Sequence, residues 1–397
     1  MNKYFILFLI LGLDALFLLF ETSELSISYT ETTLLNGDFS LLQQIERASF
    51  YFFGQNDFSL RIPMILLHLL SAILLFRFSK NYLKYDRDRL WLVVVFILLP
   101  GVLSSAIVVN SVGLVIFSLL FYLNFYDKNI YLKYLLLLPL WLISPSMIFL
   151  YFGLFVYALK QKDYRFSALN ILLFFSSLYM FGFDTTGLPK GHFLDTLAIF
   201  SAIFTPIVFI YIFYILYRRY ITSQEDILWF ISATTLILAL VLSFRQRLHV
   251  EDFAPYIMVS IVLAAQTFYH SYRVRLKQFR STYRIIFVLS LIFLFLNATV
   301  IFFNKYLYIV LKDPKEHFAY EMHVAKDLAL KLKENRLTCI DANDKKLQDR
   351  LSFYGIGYCE DFSLSKQRSE KAQNVTISYK GSEVYQSYVT KVNKISN

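Results

Sequence analysis

Charge is scarce in this chain: Asp, Glu, Lys and Arg make up 17% of its 397 residues, whereas 57% are hydrophobic. That balance excludes an ordinary water-soluble domain, whose surface must be wettable. Nucleotide-binding signatures are missing too, since neither a P-loop nor G-x-G-x-x-G occurs. The six histidines, His68, His192, His249, His270, His317 and His323, show no H-E-x-x-H spacing, and the carboxylates form no recognisable metal cage. No cofactor is firmly implied, and dependence on a divalent metal stays open. Only two cysteines occur, Cys339 in LTCIDA and Cys359 in IGYC. They read either as one disulfide in an oxidising compartment or as two buried thiols.

What the chain has instead is long apolar sequence, with 18% aromatic residues and a mean hydropathy of +0.51. Crossing about 30 Å of hydrocarbon takes about 20 apolar residues in a helix. Runs near 4–20, 60–79, 90–108, 111–126, 132–144, 146–159, 166–182, 194–217, 226–243, 254–270 and 285–303 predict about eleven spans. The first reads as a retained span, because no small-residue cleavage site follows it. Asp14 inside it predicts a bundle-facing position. Lys and Arg collect in every second loop, as in KNYLKYDRDR, KQKDYR, YRRY and YRVRLKQFRSTYR. By the positive-inside rule those loops and the amino terminus are cytoplasmic, and the carboxy terminus is outside. The net charge of +10 is then a topological signal and argues for no nucleic-acid partner.

The outer loop, 21–59, holds Glu21, Glu24, Glu31 and Asp38 directly after the first apolar run. Within it, Ser28 to Glu31 (SYTE) fits a capping box, and Asn36-Gly37 would stop the short helix it begins. In SLLQQIERASFYFFG, Leu41, Leu42, Ile45, Ser49 and Phe52 share one helical face, with Gln43, Gln44, Glu46 and Arg47 largely on the other. The pattern predicts an interfacial helix whose polar side, Glu46 included, is solvated. From about residue 312 the composition becomes soluble-like. A helix, a strand at LTCIDA, a helix at KKLQDRLSFYG, a strand at IGYC, and NVTISYK followed by a helix predict a small α/β domain, 312–397, outside a membrane domain of 1–311.

The order of acidic residues, juxtamembrane helix and FYFFGQNDFSLRIPMILLHLLSAILLFRFSK resembles the start of the GT-C glycosyltransferases of family 39 and the lipid A aminoarabinose transferases. Glu24 falls at the acidic position of their D/E-E-x-x-Y-like motif, with Tyr29 nearby. Phe53-Gly54, Ser59, Arg61 and Pro63 match their FG stretch, and RLHVEDFAPYIMVSIVLAAQ, Arg247 to Gln266, is similar to a late basic-then-proline element. The chain departs from the pattern where LLQQIERAS replaces an HPP element, where Asn110 stands for an Asp, and where ISPS, with Ser144 to Ser146 as its last three residues, replaces a lysine.

The resemblance implies an α-helical, polytopic GT-C-like protein of a bacterial inner membrane, with a periplasmic carboxy-terminal domain. Its implied activity in the cell envelope is inverting transfer of a sugar from a polyprenyl-phosphate donor to an extracytoplasmic lipid, glycan or protein. Such chemistry needs a carboxylate base and cations for the leaving phosphate. The candidates are Glu24 and Glu31 for catalysis, Arg61, Arg245, Arg247 and His249 for phosphate, and Tyr29 and Asn110 for the acceptor pocket. Two other classes stay open: a catalytically inactive relative serving as a lipid-binding or assembly subunit, and a transporter or flippase.

Overall fold

The computed structural model describes residues 2–37, 39–182, 191–365 and 373–391. It is mostly helical, with a small sheet near the carboxy terminus. The expectation of about eleven spans is corrected. Among the described residues four helices are long and apolar enough to cross a membrane: Lys3–Glu24, Asp57–Asn81, Tyr164–Phe181 and Lys277–Phe302. Two bent pairs, broken by 62° between Asp86–Leu98 and Pro100–Ile107 and by 107° between Phe193–Phe204 and Pro206–Ile221, raise the number to six if each is one span. The remaining apolar runs form helices of 10–17 residues, among them Ser111–Phe125, Met147–Lys160 and Ile227–Ser243. At 1.5 Å per residue a 15-residue helix covers only about 22 Å, short of the hydrocarbon thickness. Proline placement explains much of the fragmentation, since Pro100 and Pro206 each open a new helix.

Two compact units result, each assembled from separated segments. The first comprises Met1–Ala15, Met64–Ala106 and Asn110–Ala298. As the sequence predicted, Asp14 is buried, and it meets the ring Nε2 of buried His68 at 2.8 Å. The helices Met147–Lys160 and Ile227–Ser243 approach closely at Gly153, where a β-carbon would come within 2.9 Å of the Ile231 α-carbon.

The second unit comprises Leu16–Pro63, Ile107–Val109 and Thr299–Asn397. It contains the end of helix α1 (Lys3–Glu24), all of α2 (Tyr29–Asn36) and α3 (Leu41–Phe53), and the start of α4 (Asp57–Phe78). The capping box of α2 forms as expected. Ser28 Oγ accepts from the Glu31 amide, Glu31 Oε2 accepts from the Ser28 amide at 2.7 Å, and Gly37 ends the helix.

Helix α3 forms where predicted, but part of the polar side expected in solvent, Gln43 and Glu46, is buried. Leu42, Gln43, Glu46 and Ser49 are buried, whereas Tyr51, Phe52 and Phe53 are exposed. The polar side points inward because neighbouring backbone needs donors. Gln43 Nε2 donates to the carbonyls of Leu34, Leu35 and Gly37, closing the end of α2, and Ser49 Oγ donates to Ser59 O at 2.6 Å. The aromatic side faces outward, which suits a helix bathed by interface rather than water.

In the carboxy-terminal segment the helices Val324–Glu334 and Lys345–Phe353 cover a three-stranded antiparallel sheet of order β1-β3-β2, with β1 Phe362–Ser365, β2 Gln373–Tyr379 and β3 Ser382–Lys391. Leu328, Leu332, Leu351, Leu364, Ile377 and Val389 interlock beneath it. Two sequence expectations are corrected here. The predicted last helix is strand β3, joined to β2 by Lys380-Gly381, both at positive φ (50° and 87°), a two-residue turn that reverses the chain. LTCIDA and IGYC contribute only isolated parallel bridges, Cys339 to Gly357 and Asp341 to Ser363, rather than full strands. That pairing nevertheless places the cysteines 5.4 Å apart at Cα, and they are disulfide-bonded.

Candidate active site

The acidic loop folds into the second unit, around the end of α1. One turn of α1 presents Glu21 and Glu24, and both meet the segment that follows the last apolar helix. Asn304 Nδ2 donates to Glu21 Oε1 at 2.5 Å, and Lys305 Nζ donates to Glu24 Oε2 at 2.7 Å. Glu21 is buried, but the Glu24 side chain is 39% exposed and Lys305 18%. Lys305 also sits 4.7 Å above the ring of Tyr379. Behind it, His323 Nδ1 bonds the Tyr308 hydroxyl at 2.8 Å. Burial, with help from His317 and Lys305, pushes the His323 pKa down to about 3, so this imidazole is neutral.

A second cluster lies around the first turn of α4. Arg61 is wholly buried and its donors reach three backbone carbonyls, Ile107 at 2.8 Å, Ser26 at 2.9 Å and Leu25 at 3.4 Å. Its guanidinium lies 3.6 Å from Glu31 and 3.9 Å from Asp57. Glu31 is buried too, and its Oε1 accepts from the Val109 amide at 3.0 Å. Asp57 takes Lys326 Nζ at 2.9 Å and the Tyr354 hydroxyl at 2.6 Å, while Tyr354 accepts from the Ile27 amide. Two carboxylates and two cations thus offset one another, as buried charges must.

Glu46 adds a third acid to that cluster, against the expectation that it is solvated. It is fully buried, and neither carboxylate oxygen has a hydrogen-bond partner among the described residues. Burial, reinforced by the Glu31 charge and partly relieved by Arg61, raises its pKa to about 9. At neutral pH this group keeps its proton.

The structure therefore sorts the sequence candidates. Glu24 is a reachable carboxylate with a cation beside it. Glu31 and Arg61 are strut and tie, inaccessible behind the loop they hold. Tyr29 is half-buried, with Lys346 Nζ 5.3 Å from its ring. The other candidates belong to the first unit. Arg245, Arg247 and His249 are exposed there; Arg247 and His249 line a cavity of about 340 Å³ with Pro145, Phe149 and Asp252, and His249 lies 3.5 Å from Glu251. Burial beside Glu251 lifts the Asp252 pKa to about 6. Asn110 caps the helix Ser111–Phe125, accepting from the Val112 amide at 3.0 Å, and lines a cavity of about 380 Å³ that includes Glu251. Sequence reasoning missed Lys305, Lys326, Asp57 and Tyr354. The only signal was Lys305 directly after an apolar run, at the distance from a span where an anchoring lysine is commonplace.

No protein-family profile and no curated protein sequence matches the chain. Solved structures do. The chain is similar to ArnT from Cupriavidus metallidurans bound to undecaprenyl phosphate, with a TM-score of 0.59 at 11% identity over 98% of both chains. Against the apo state of ArnT from the same organism the TM-score is 0.52 at 12% identity, covering 88% of this chain and 86% of that one. Fold is what such a likeness shows. The chain shares the fold of those structures, and with its long apolar helices it is a multi-pass membrane protein.

Proposed function

We propose that the chain transfers a sugar from a polyprenyl-phosphate carrier to an acceptor on the outer face of a bacterial inner membrane, with Glu24 as the base. The observation that carries this reading is the contrast among the loop carboxylates of a GT-C-like fold. Glu21, Glu31, Glu46 and Asp57 are buried, while Glu24 is partly open and held by Lys305. In the transfer, Glu24 takes the proton of an acceptor hydroxyl as its oxygen bonds the anomeric carbon. The bond from that carbon to the phosphate oxygen breaks, and the polyprenyl phosphate leaves with the electron pair. Inversion follows from attack on the face opposite the leaving group. For the phosphate, the resemblance implies Arg245, Arg247 and His249; all three are exposed in the first unit, where Arg247 and His249 line one cavity. Arg61 and Glu31 act through position, with Arg61 holding the Leu25 and Ser26 carbonyls that directly follow Glu24.

The disulfide supports an oxidising, extracytoplasmic setting for the carboxy-terminal segment. Alkaline phosphatase fused after residue 397 is expected to be active; activity only of a cytoplasmic reporter there would reverse the topology. The catalytic test is Glu24→Gln, assayed with lipid-linked donor. Loss of a general base typically lowers rate about 10²–10⁴-fold, so transfer should nearly vanish while the protein inserts normally. Transfer at the parent rate would remove Glu24 from the mechanism. A parent protein that transfers no sugar from any lipid-linked donor would instead make this an inactive relative.

A further inference from the structure

The first unit carries a basic cleft that glycosyl transfer at Glu24 does not use. It has a volume of about 630 Å³ and is walled by the Tyr82–Tyr85 segment after α4, the last turn of the helix Pro206–Ile221, and the end of the helix Ile261–Val274. Lys84, Arg218, Arg219, Gln266, His270 and Arg273 line it. Carboxylates answer only part of this charge. Arg273 pairs with buried Asp88, and Arg219 lies 4.0 Å from Asp226. Lys84 and Arg218 have no carboxylate partner among the described residues and are exposed. Arg219 is built into the wall, 8% exposed, donating to Gln224 O at 3.3 Å and to Gln266 Oε1. Its buried Nε–H has no partner among the described residues.

We infer that this cleft binds a phosphate ester. Lys84 and Arg218 line the cleft as exposed cations with no carboxylate partner among the described residues, and such cations favour an anionic group able to accept several charge-assisted hydrogen bonds. Phosphate is the chemical group that matches several converging donors and uncompensated cations. The volume falls in the range of small-molecule pockets, about 300–1,000 Å³, and so accommodates a headgroup larger than the bare ion. Tyr217, Tyr220 and Ile221 stand exposed at the same helix end, as interfacial aromatics do at headgroup level. The ester is therefore either an anionic lipid headgroup or a soluble phosphomonoester. On the positive-inside reading, the cleft faces the cytoplasm.

The test uses the full-length protein, delipidated in neutral detergent, with thermal stability and native mass spectrometry as readouts. The probes are phosphatidylglycerol, phosphatidylcholine and glycerol 3-phosphate. The variant Lys84→Gln with Arg218→Gln changes two exposed residues and should melt like the parent when no probe is added. Phosphatidylglycerol is expected to bind the parent more tightly than phosphatidylcholine, and the double variant about thirtyfold more weakly, as two lost headgroup contacts require. If glycerol 3-phosphate stabilises the parent and the double variant loses that response, the site is confirmed with a soluble ester as its ligand. Equal binding of both lipids with no response to glycerol 3-phosphate, or unchanged phosphatidylglycerol binding by the double variant, overturns the inference. None of these readouts depends on sugar transfer.

Discussion

Arg61 in the second unit and Arg218 in the first are the same side chain in opposite circumstances. Arg61 is buried, with three carbonyls and two carboxylates around it, so every interaction it makes is internal. Arg218 is exposed on the wall of a cleft and has no carboxylate partner among the described residues. The difference teaches that a cation's sequence context does not reveal its use. What decides is whether the fold has already engaged its donors.

The comparison breaks most visibly at Arg61. Arg61→Met should cost about 3–5 kcal/mol, because Glu31 and Asp57 would stay buried without their shared cation; a collapse in melting temperature and yield is the expected sign. Removing the disulfide comes next. With its cysteines 20 positions apart in sequence, Cys339→Ser with Cys359→Ser should cost about 3 kcal/mol on a chain-entropy account, read as a lower melting temperature that reductant no longer changes.

Glu46→Gln should act in the other direction. The folded protein holds a proton on Glu46 up to about pH 9, whereas the unfolded chain releases it near 4.5. Between those values the native state binds more protons, so stability falls as pH rises through that window. Gln removes the dependence, and its advantage over the parent should be absent below pH 4.5 and reach roughly 3 kcal/mol at pH 7. A melting curve for both proteins across pH 4–9 checks it, and parallel curves would mean that Glu46 ionises freely. The smallest effect belongs to Arg218→Gln alone, expected within about 0.5 kcal/mol of the parent; a larger loss of stability would show that Arg218 is tied into the fold in the way Arg61 is.

Some of this was legible beforehand. Ser28 and Glu31 announce the cap of α2 because both partners lie within four residues. Asp14 announces an inward position because charge in an apolar run must find company, here His68. The burial of Gln43 and Glu46 on α3 was not legible, since the amphipathic pattern assigns polar side chains to water and does not show that neighbouring backbone covers them. Span number failed because composition sees how greasy a run is and not how long a helix it forms: the runs at Ser111–Phe125, Met147–Lys160 and Ile227–Ser243 give helices of 10–17 residues. Of the site, Glu24 was marked by its place in a motif. Its partner Lys305 lies 281 residues away, beyond the reach of any spacing argument.

Those separations also set an order of events during synthesis. Asp57 leaves the ribosome 297 residues before Tyr354, and Glu24 waits almost as long for Lys305. Until Lys305, Lys326 and Tyr354 are made, the loop's acids lack the lysines and tyrosine that later hold them, and the buried face of α3 has no finished unit behind it. The loop must therefore persist as an unfinished surface through most of translation, and a nascent chain stalled before residue 305 should be far more open to protease within 21–59 than the full 397-residue chain.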